Sequence, residues 1–154
     1  HDQSEALMLS HRVALLLDGR LRQVGVPRQL FHHPADPEVA RFFGGKNFFQ
    51  GHIQDGMYHS DFGVFAVGPQ DGNGHLRTAT IRPEDIRIVP RRAGSSGGLA
   101  GRIIKTNFEG SATRIVVACG AGELVVLTSQ DGFLPGQEVD VTVPPDKLRL
   151  FPDG

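Results

Sequence analysis

Apolar residues in this chain fall into short runs, and the runs change character near residue 46. Asp2 with Glu5 three residues on forms a capping-box pattern, so a helix is predicted just after His1, with Ala6 and Leu9 on its inner face. Arg12-Val13-Ala14-Leu15-Leu16-Leu17 is almost continuously apolar and closes on Asp18-Gly19, the pattern of a strand covered on both faces. Arg20-Leu21-Arg22-Gln23-Val24 returns with alternation, which predicts an edge strand with one wet side. Two short helices follow. Pro27 opens the first, Leu30 and Phe31 face inward, and Pro34 stops it. Asp36 caps the second, Pro37 takes its first helical position, and Val39, Phe42 and Phe43 make an apolar stripe before Gly44-Gly45.

From Asn47 onward, alternating runs are separated by glycine turns. Asp55-Gly56 parts Phe49-to-Gln54 from Met57-to-Ser60, Asp71-Gly72-Asn73-Gly74 parts Phe62-to-Val67 from His75-to-Arg82, and Gly120-Ala121-Gly122 parts Thr113-to-Cys119 from Glu123-to-Thr128. These read as hairpins in series. Arg91-to-Gly98 is too polar and glycine-rich to pack and reads as an exposed connection. The stretch Ile81-Arg82-Pro83-Glu84-Asp85-Ile86-Arg87-Ile88-Val89-Pro90 aligns without a gap with Val143-Pro144-Pro145-Asp146-Lys147-Leu148-Arg149-Leu150-Phe151-Pro152, 62 residues later (143 minus 81). Each copy is preceded by a Gly-basic-Ile step, Gly51-His52-Ile53 and Gly101-Arg102-Ile103, at unequal distances. The expectation is two similar β units, interwoven or stacked into one barrel-like body.

Composition narrows the classes. Twenty glycines and ten prolines among 154 residues, with no tryptophan, favour many short elements joined by tight turns. A net charge of −1 gives no concentrated basic surface for nucleic acid. Cys119, the single cysteine, lies in the strand-like Ile115-to-Gly120 and reads as a buried, inert thiol. No apolar run approaches the roughly 18 residues of a membrane span, and no signal-peptide pattern opens the chain, so a reducing cytosolic compartment is expected.

His1-Asp2-Gln3-x-Glu5-Ala6-Leu7 resembles the switch-histidine motif of ABC transporter ATPase subunits. The likeness continues through Arg12-Val13, Asp18-to-Pro27, Leu30-Phe31, Pro34, Val39-Ala40-x-Phe42-x-Gly44 and Asn47, and resumes at Ile81-Arg82-Pro83-Glu84 and at Pro144-Pro145-Asp146 to Leu150-Phe151. The family pattern has an aspartate before the arginine of the following strand, where this chain has His11. The resemblance is to importer ATPases that carry a C-terminal TOBE (OB-like) domain, those for maltose, polyamines, ferric iron, sulfate or molybdate. It implies a mainly β fold with a short α/β N-terminal segment. Residues 1–45 would be the tail of the nucleotide-binding domain (the switch-histidine helix, a hairpin and two short helices), and residues 46–154 a TOBE/OB-like regulatory barrel of two similar β units. His1 would be the catalytic residue in the full-length protein, contacting the γ-phosphate and attacking water of ATP bound with Mg. That role suits an imidazole, since phosphoryl transfer needs positioning and charge stabilisation.

The sequence has no G-x-x-x-x-G-K-[ST] loop, no LSGGQ-like signature and no apolar strand ending in Asp-Glu. The chain by itself is therefore expected to hold no cofactor and to be inactive. The resemblance further implies a homodimer formed through the ATPase and regulatory domains, permease subunits in the membrane, indirectly an extracytoplasmic solute-binding protein, and a cytoplasmic location on the inner face of the membrane. Val39, Phe42, Phe43, Gly44, Asn47, Arg82, Pro83 and Glu84 are the expected structural and interdomain residues. Two competing readings are a TOBE module that senses an oxyanion or metabolite and an OB-type nucleic-acid binder, which the charge balance disfavours. His32-His33 with Asp36 make a poor metal site, because adjacent residues at a helix end point apart. Phe62 and Phe65 are expected in the core rather than on a base-stacking platform.

Overall fold

Asp18 and Gly19 both adopt positive φ (48° and 71°), the geometry that lets a two-residue turn match the twist of its flanking strands. They join Val13–Leu17 (β1) to Arg20–Gly25 (β2) as an antiparallel pair with an irregularity between Leu15 and Leu16. Pro27–His32 (α1) and Pro37–Phe42 (α2) follow, each with proline in its first turn. The Asp36 carboxylate caps α2, accepting from the Glu38 and Val39 N–H groups at 2.9 Å. Leu15, Leu30, Val39 and Phe43 close the core of this unit, with Val13, Leu17, Phe31 and Phe42 packed against it. The computed structural model describes residues 10–67, 76–94 and 97–151, and the chain divides into two compact units, His1–Gly45 and Lys46–Gly154. The expected first helix, with its capping box, lies outside the described residues.

The hairpin departs from its expected burial. Only the Leu15 side of β1 is buried, whereas Leu16 is 62% and its cross-strand partner Leu21 is 61% exposed. Beside them lie Ala14 and its partner Val24, also exposed. On β2 it is the polar residues that are drawn in. Arg22 pairs with Asp36 and Glu38 (2.9 Å each), and Gln23 donates to the His33 carbonyl and accepts from the Ala35 N–H. A two-stranded sheet with its helices on one side leaves the other side apolar and open.

The second unit holds two five-stranded sheets. The first, in the order β12-β6-β3-β4-β5, comprises Arg149–Phe151 (β12), Leu76–Ile81 (β6), Asn47–Gln54 (β3), Met57–Ser60 (β4) and Gly63–Ala66 (β5). The second, β10-β9-β8-β11-β7, comprises Gly122–Thr128 (β10), Thr113–Cys119 (β9), Leu99–Phe108 (β8), Glu138–Thr142 (β11) and Arg87–Pro90 (β7). The first and third expected hairpins form, at Asp55-Gly56 and Gly120-Ala121. The second does not: β6 pairs with β3 rather than β5. β5 already pairs with β4, and β6 instead takes the open side of β3, whose Asn47-to-His52 offers it a six-residue ladder.

The internal echo is a strand exchange. Each copy begins in one sheet and ends in the other: β6 to β7 leaves the first sheet for the second, and β11 to β12 returns. The turns match, Asp85 N–H donating to the Arg82 carbonyl and Lys147 N–H to the Pro144 carbonyl. Ladder register matches too. Gly51 faces Arg77 and Ser60, and Gly101 faces Val139 and Cys119. The inner faces of both sheets share one core, with Phe49, Ile53, Tyr58, Phe65 and Ile81 from the first and Ile103, Ile115, Val117, Leu124, Val126 and Val139 from the second. Fold class is therefore mainly β, as the pattern predicts.

Candidate functional site

Strand register places Asn47 at the start of β3 with its side chain buried, 2% exposed, against the outer edge of β10. Its Nδ2 donates to the carbonyls of Val125 (2.8 Å) and Ile81 (3.3 Å), and its Oδ1 accepts from the Val125 N–H (2.7 Å). Thr80 donates its hydroxyl to the Asn47 carbonyl at 2.7 Å. One carboxamide thus satisfies both polar groups of an edge residue that no strand covers, as buried backbone requires. A further bond, from the Leu127 N–H to the Pro83 carbonyl at 2.9 Å, closes the next outward position of β10.

The corresponding place in the other sheet is the edge of β5. Val67 donates to the Gly56 carbonyl, and pairs alternate along an antiparallel ladder, so Ala66 opposite Met57 turns its N–H and C=O away from β4. Where β10 meets Asn47, β5 meets a cleft of about 480 Å³ lined by Val64, Phe65, Ala66, Gly97, Gly98, Leu99, Val141, Thr142, Val143 and Pro145. In the 62-residue echo Val143 aligns with Ile81 and Thr142 with Thr80, and counting back from the matched Gly51 and Gly101 sets Gly97 against Asn47, although the β8 ladder with β11 ends at Leu99 opposite Val141. Gly98, at φ 112°, takes the chain off the β8 ladder.

The other expected site residues have plain surroundings. Val39 and Phe43 are buried in the core of their own unit, Phe42 is packed beside them, and Gly44, at φ 84°, ends α2. Arg82 is half-buried, and burial pushes its guanidinium below its ordinary value against the pull of Glu84 and Asp85. Pro83 is buried and Glu84 exposed. His1 lies outside the described residues. His32 packs edge-on against Phe31, with ring centroids 5.0 Å apart. Phe62 and Phe65 flank Phe49 in the core, as expected. Cys119 is buried, which pushes its thiol up to about 11.

Burial tends to raise the Asp36 carboxyl, but the Val39 N–H, the Arg22 guanidinium and the Glu38 N–H outweigh it and hold the group below its ordinary value. Among the described residues no group of three or more His, Cys, Asp or Glu side chains is placed to hold a metal ion, and no helix is long and apolar enough to cross a membrane. The sequence reading singled out Asn47 and gave the cleft residues no binding role, naming Phe65 among them only as core. The available signal was the echo itself, which places a glycine, Gly97, opposite the asparagine.

The TOBE domain family matches residues 79–151. A spermidine/putrescine import ATP-binding protein, PotA, of Ruegeria pomeroyi is 32% identical, the alignment covering 99% of this chain and 44% of that protein. A sulfate/thiosulfate import ATP-binding protein, CysA 2, of Chromobacterium violaceum is 30% identical with the same coverage. An Fe(3+) ions import ATP-binding protein, FbpC 3, of Rhodococcus jostii is 32% identical over 80% of this chain and 34% of its own length. The chain thus spans less than half the length of these relatives. Among solved structures, the cytoplasmic molybdate-binding protein ModG with molybdate bound superposes with a TM-score of 0.60 at 14% identity, covering 71% of this chain and 98% of ModG, a likeness of fold.

Proposed function

Because the chain carries a TOBE domain and matches the C-terminal region of ABC importer ATP-binding subunits, we propose that it works as the regulatory, C-terminal part of such an ATP-hydrolysing subunit. On this reading residues 1–45 complete a nucleotide-binding domain, and residues 46–154 form the regulatory domain through which two copies steady each other while ATP drives solute uptake. His1 is the switch histidine of the full-length protein, where ATP and Mg bind. Permease subunits are the membrane partners, and the assembly works on the cytoplasmic face.

The observation that carries this reading is the inverted hairpin. Ala14, Leu16, Leu21 and Val24 form an open apolar face on a two-stranded sheet. An isolated hairpin is marginal in water, and apolar patches on one side of a sheet mark a missing neighbour. A continuing ATPase sheet is the neighbour that such a face fits.

Leu16→Lys with Leu21→Lys separates the alternatives. In this 154-residue chain both sites are solvated, so thermal stability should shift by no more than about 0.5 kcal/mol. In the full-length subunit the same pair should abolish soluble expression or ATP hydrolysis. Unchanged ATPase activity there would overturn the reading. His1→Ala in the full-length subunit should lower ATP hydrolysis roughly a hundredfold or more, by loss of a group that stabilises the transition state.

A further inference from the structure

The β10 edge shows what kind of group its β5 counterpart is built to receive. At β10 the occupant is a primary carboxamide: one oxygen accepting from an edge N–H, and one nitrogen with two protons, donating to that same residue's carbonyl and to a second carbonyl on the neighbouring strand. The β5 edge repeats the backbone plan. By ladder register Ala66 opposite Met57 stands where Val125 stands opposite Val116, and Val143, the echo partner of Ile81 in the sequence, lines the same cleft. In sequence the position that matches Asn47 is Gly97, which has no carboxamide to offer. Among the described residues no charged side chain lines the cleft, so none of them would compensate an anion or cation taken out of water. Val64, Leu99, Val141 and Pro145 supply an apolar wall and Thr142 a hydroxyl. A neutral ligand with a short apolar body and a primary amide meets those requirements.

We propose that the cleft at the β5 edge is a binding site for a primary carboxamide, whose oxygen accepts from the Ala66 N–H and whose nitrogen donates to the Ala66 and Val143 carbonyls. The amide comes either from a free small molecule or from an Asn or Gln side chain of a polypeptide, and both present the same atoms. The site is independent of any ATPase role.

The test is an amide-resonance titration of the ¹⁵N-labelled chain with propanamide, compared with propanoate, which keeps the shape but offers no N–H donor, and with N-methylpropanamide, which loses one of two. Saturable shifts at Ala66, Gly98 and Leu99 with propanamide are expected, with at least about tenfold weaker binding of the other two. Ala66→Pro deletes the outward N–H without removing a ladder bond, a substitution that edge strands tolerate, and should abolish the propanamide shifts at Gly98 and Leu99. Short extended peptides carrying asparagine distinguish the sources. Binding about tenfold tighter than propanamide assigns a polypeptide partner, and binding no tighter assigns a small molecule. Equal shifts with propanoate, or no saturable shift with propanamide in the parent chain, would overturn the site.

Discussion

β10 and β5 hold the same place in their two sheets, each the outer strand of a hairpin joined by a two-residue turn, yet their free edges are finished differently. At β10 the outward groups of Val125 are taken by the Asn47 side chain, reaching from the other sheet. At β5 the outward groups of Ala66 face a cleft. The comparison teaches that a duplicated hydrogen-bond plan need not duplicate its chemistry. Backbone pairing is shared by both halves, while the side chain that closes an edge is decided position by position. One half thereby became a clasp between sheets and the other an opening.

The largest effect is expected where the two halves come closest to their own backbones. A Cβ at Gly51 would overlap the His59 carbonyl oxygen, which cannot move without breaking the ladder. At the matching Gly101 the nearest atoms are side-chain ends, Val117 Cγ1 at 2.5 Å and Cys119 Sγ at 2.9 Å. Gly51→Ala should therefore cost about 3 kcal/mol or more, and Gly101→Ala about 1–2 kcal/mol, measured by urea unfolding. Equal losses would show that the sheets yield alike.

Next comes the clasp. Asn47→Ala leaves the Val125 N–H and the two carbonyls without their partner and should cost about 2 kcal/mol in the same measurement. A loss below about 0.5 kcal/mol would mean that water serves the β10 edge as well as the amide does, erasing the contrast with β5.

Smaller again is a feature of the first half alone. The Tyr58 hydroxyl lies 3.0 Å from the Phe49 carbonyl and 2.8 Å from that of Arg77, whereas the matching position in the second half is Val117. Tyr58→Phe should cost about 1 kcal/mol. Burial pushes the Tyr58 phenol up to about 12. The folded state therefore holds its proton more tightly than the unfolded state, whose phenol titrates near ~10. This contribution is complete below that value and is lost as pH rises from about 10 toward 12. Since the chain has one tyrosine and no tryptophan, phenolate absorbance reports this residue by itself. Titration at an ordinary tyrosine value in the folded chain would contradict the burial.

The smallest expected effect is at Gly97. A Cβ there meets nothing within 4 Å, so the first side-chain atom of Gly97→Asn meets no clash. Gly98 has already taken the chain off the ladder, and the new amide should change stability by no more than about 0.5 kcal/mol. A gain near 2 kcal/mol would show that the β5 edge closes by the same device as β10.

Much of this was legible in the amino-acid order because it rests on local physics. Asp18-Gly19 and Asp55-Gly56 must turn, since few residue pairs adopt consecutive positive φ. Asp36-Pro37 must start a helix, since one residue caps and the next has its φ preset. The 62-residue echo marked two matching turn-and-strand units, which the ladders then repeat register for register. Which strand lies beside which was not local: β6 follows β5 in the chain but pairs with β3, a choice made by the ladder that the whole sheet can form.

The inversion of the first hairpin was equally hidden. Arg22 and Gln23 read as solvent-facing until the α2 cap Asp36 gave Arg22 an acceptor and the connection before it, at His33 and Ala35, gave Gln23 an acceptor and a donor. By itself, then, the sequence determined the turns, the helix caps, the mainly β class and the presence of a repeat, because each depends on neighbours within a few residues. Only the tertiary structure decided that the repeat exchanges strands between sheets, that Asn47 closes the β10 edge, and that the described residues leave β5 beside a cleft, because those outcomes depend on which backbone groups meet after distant segments have come together.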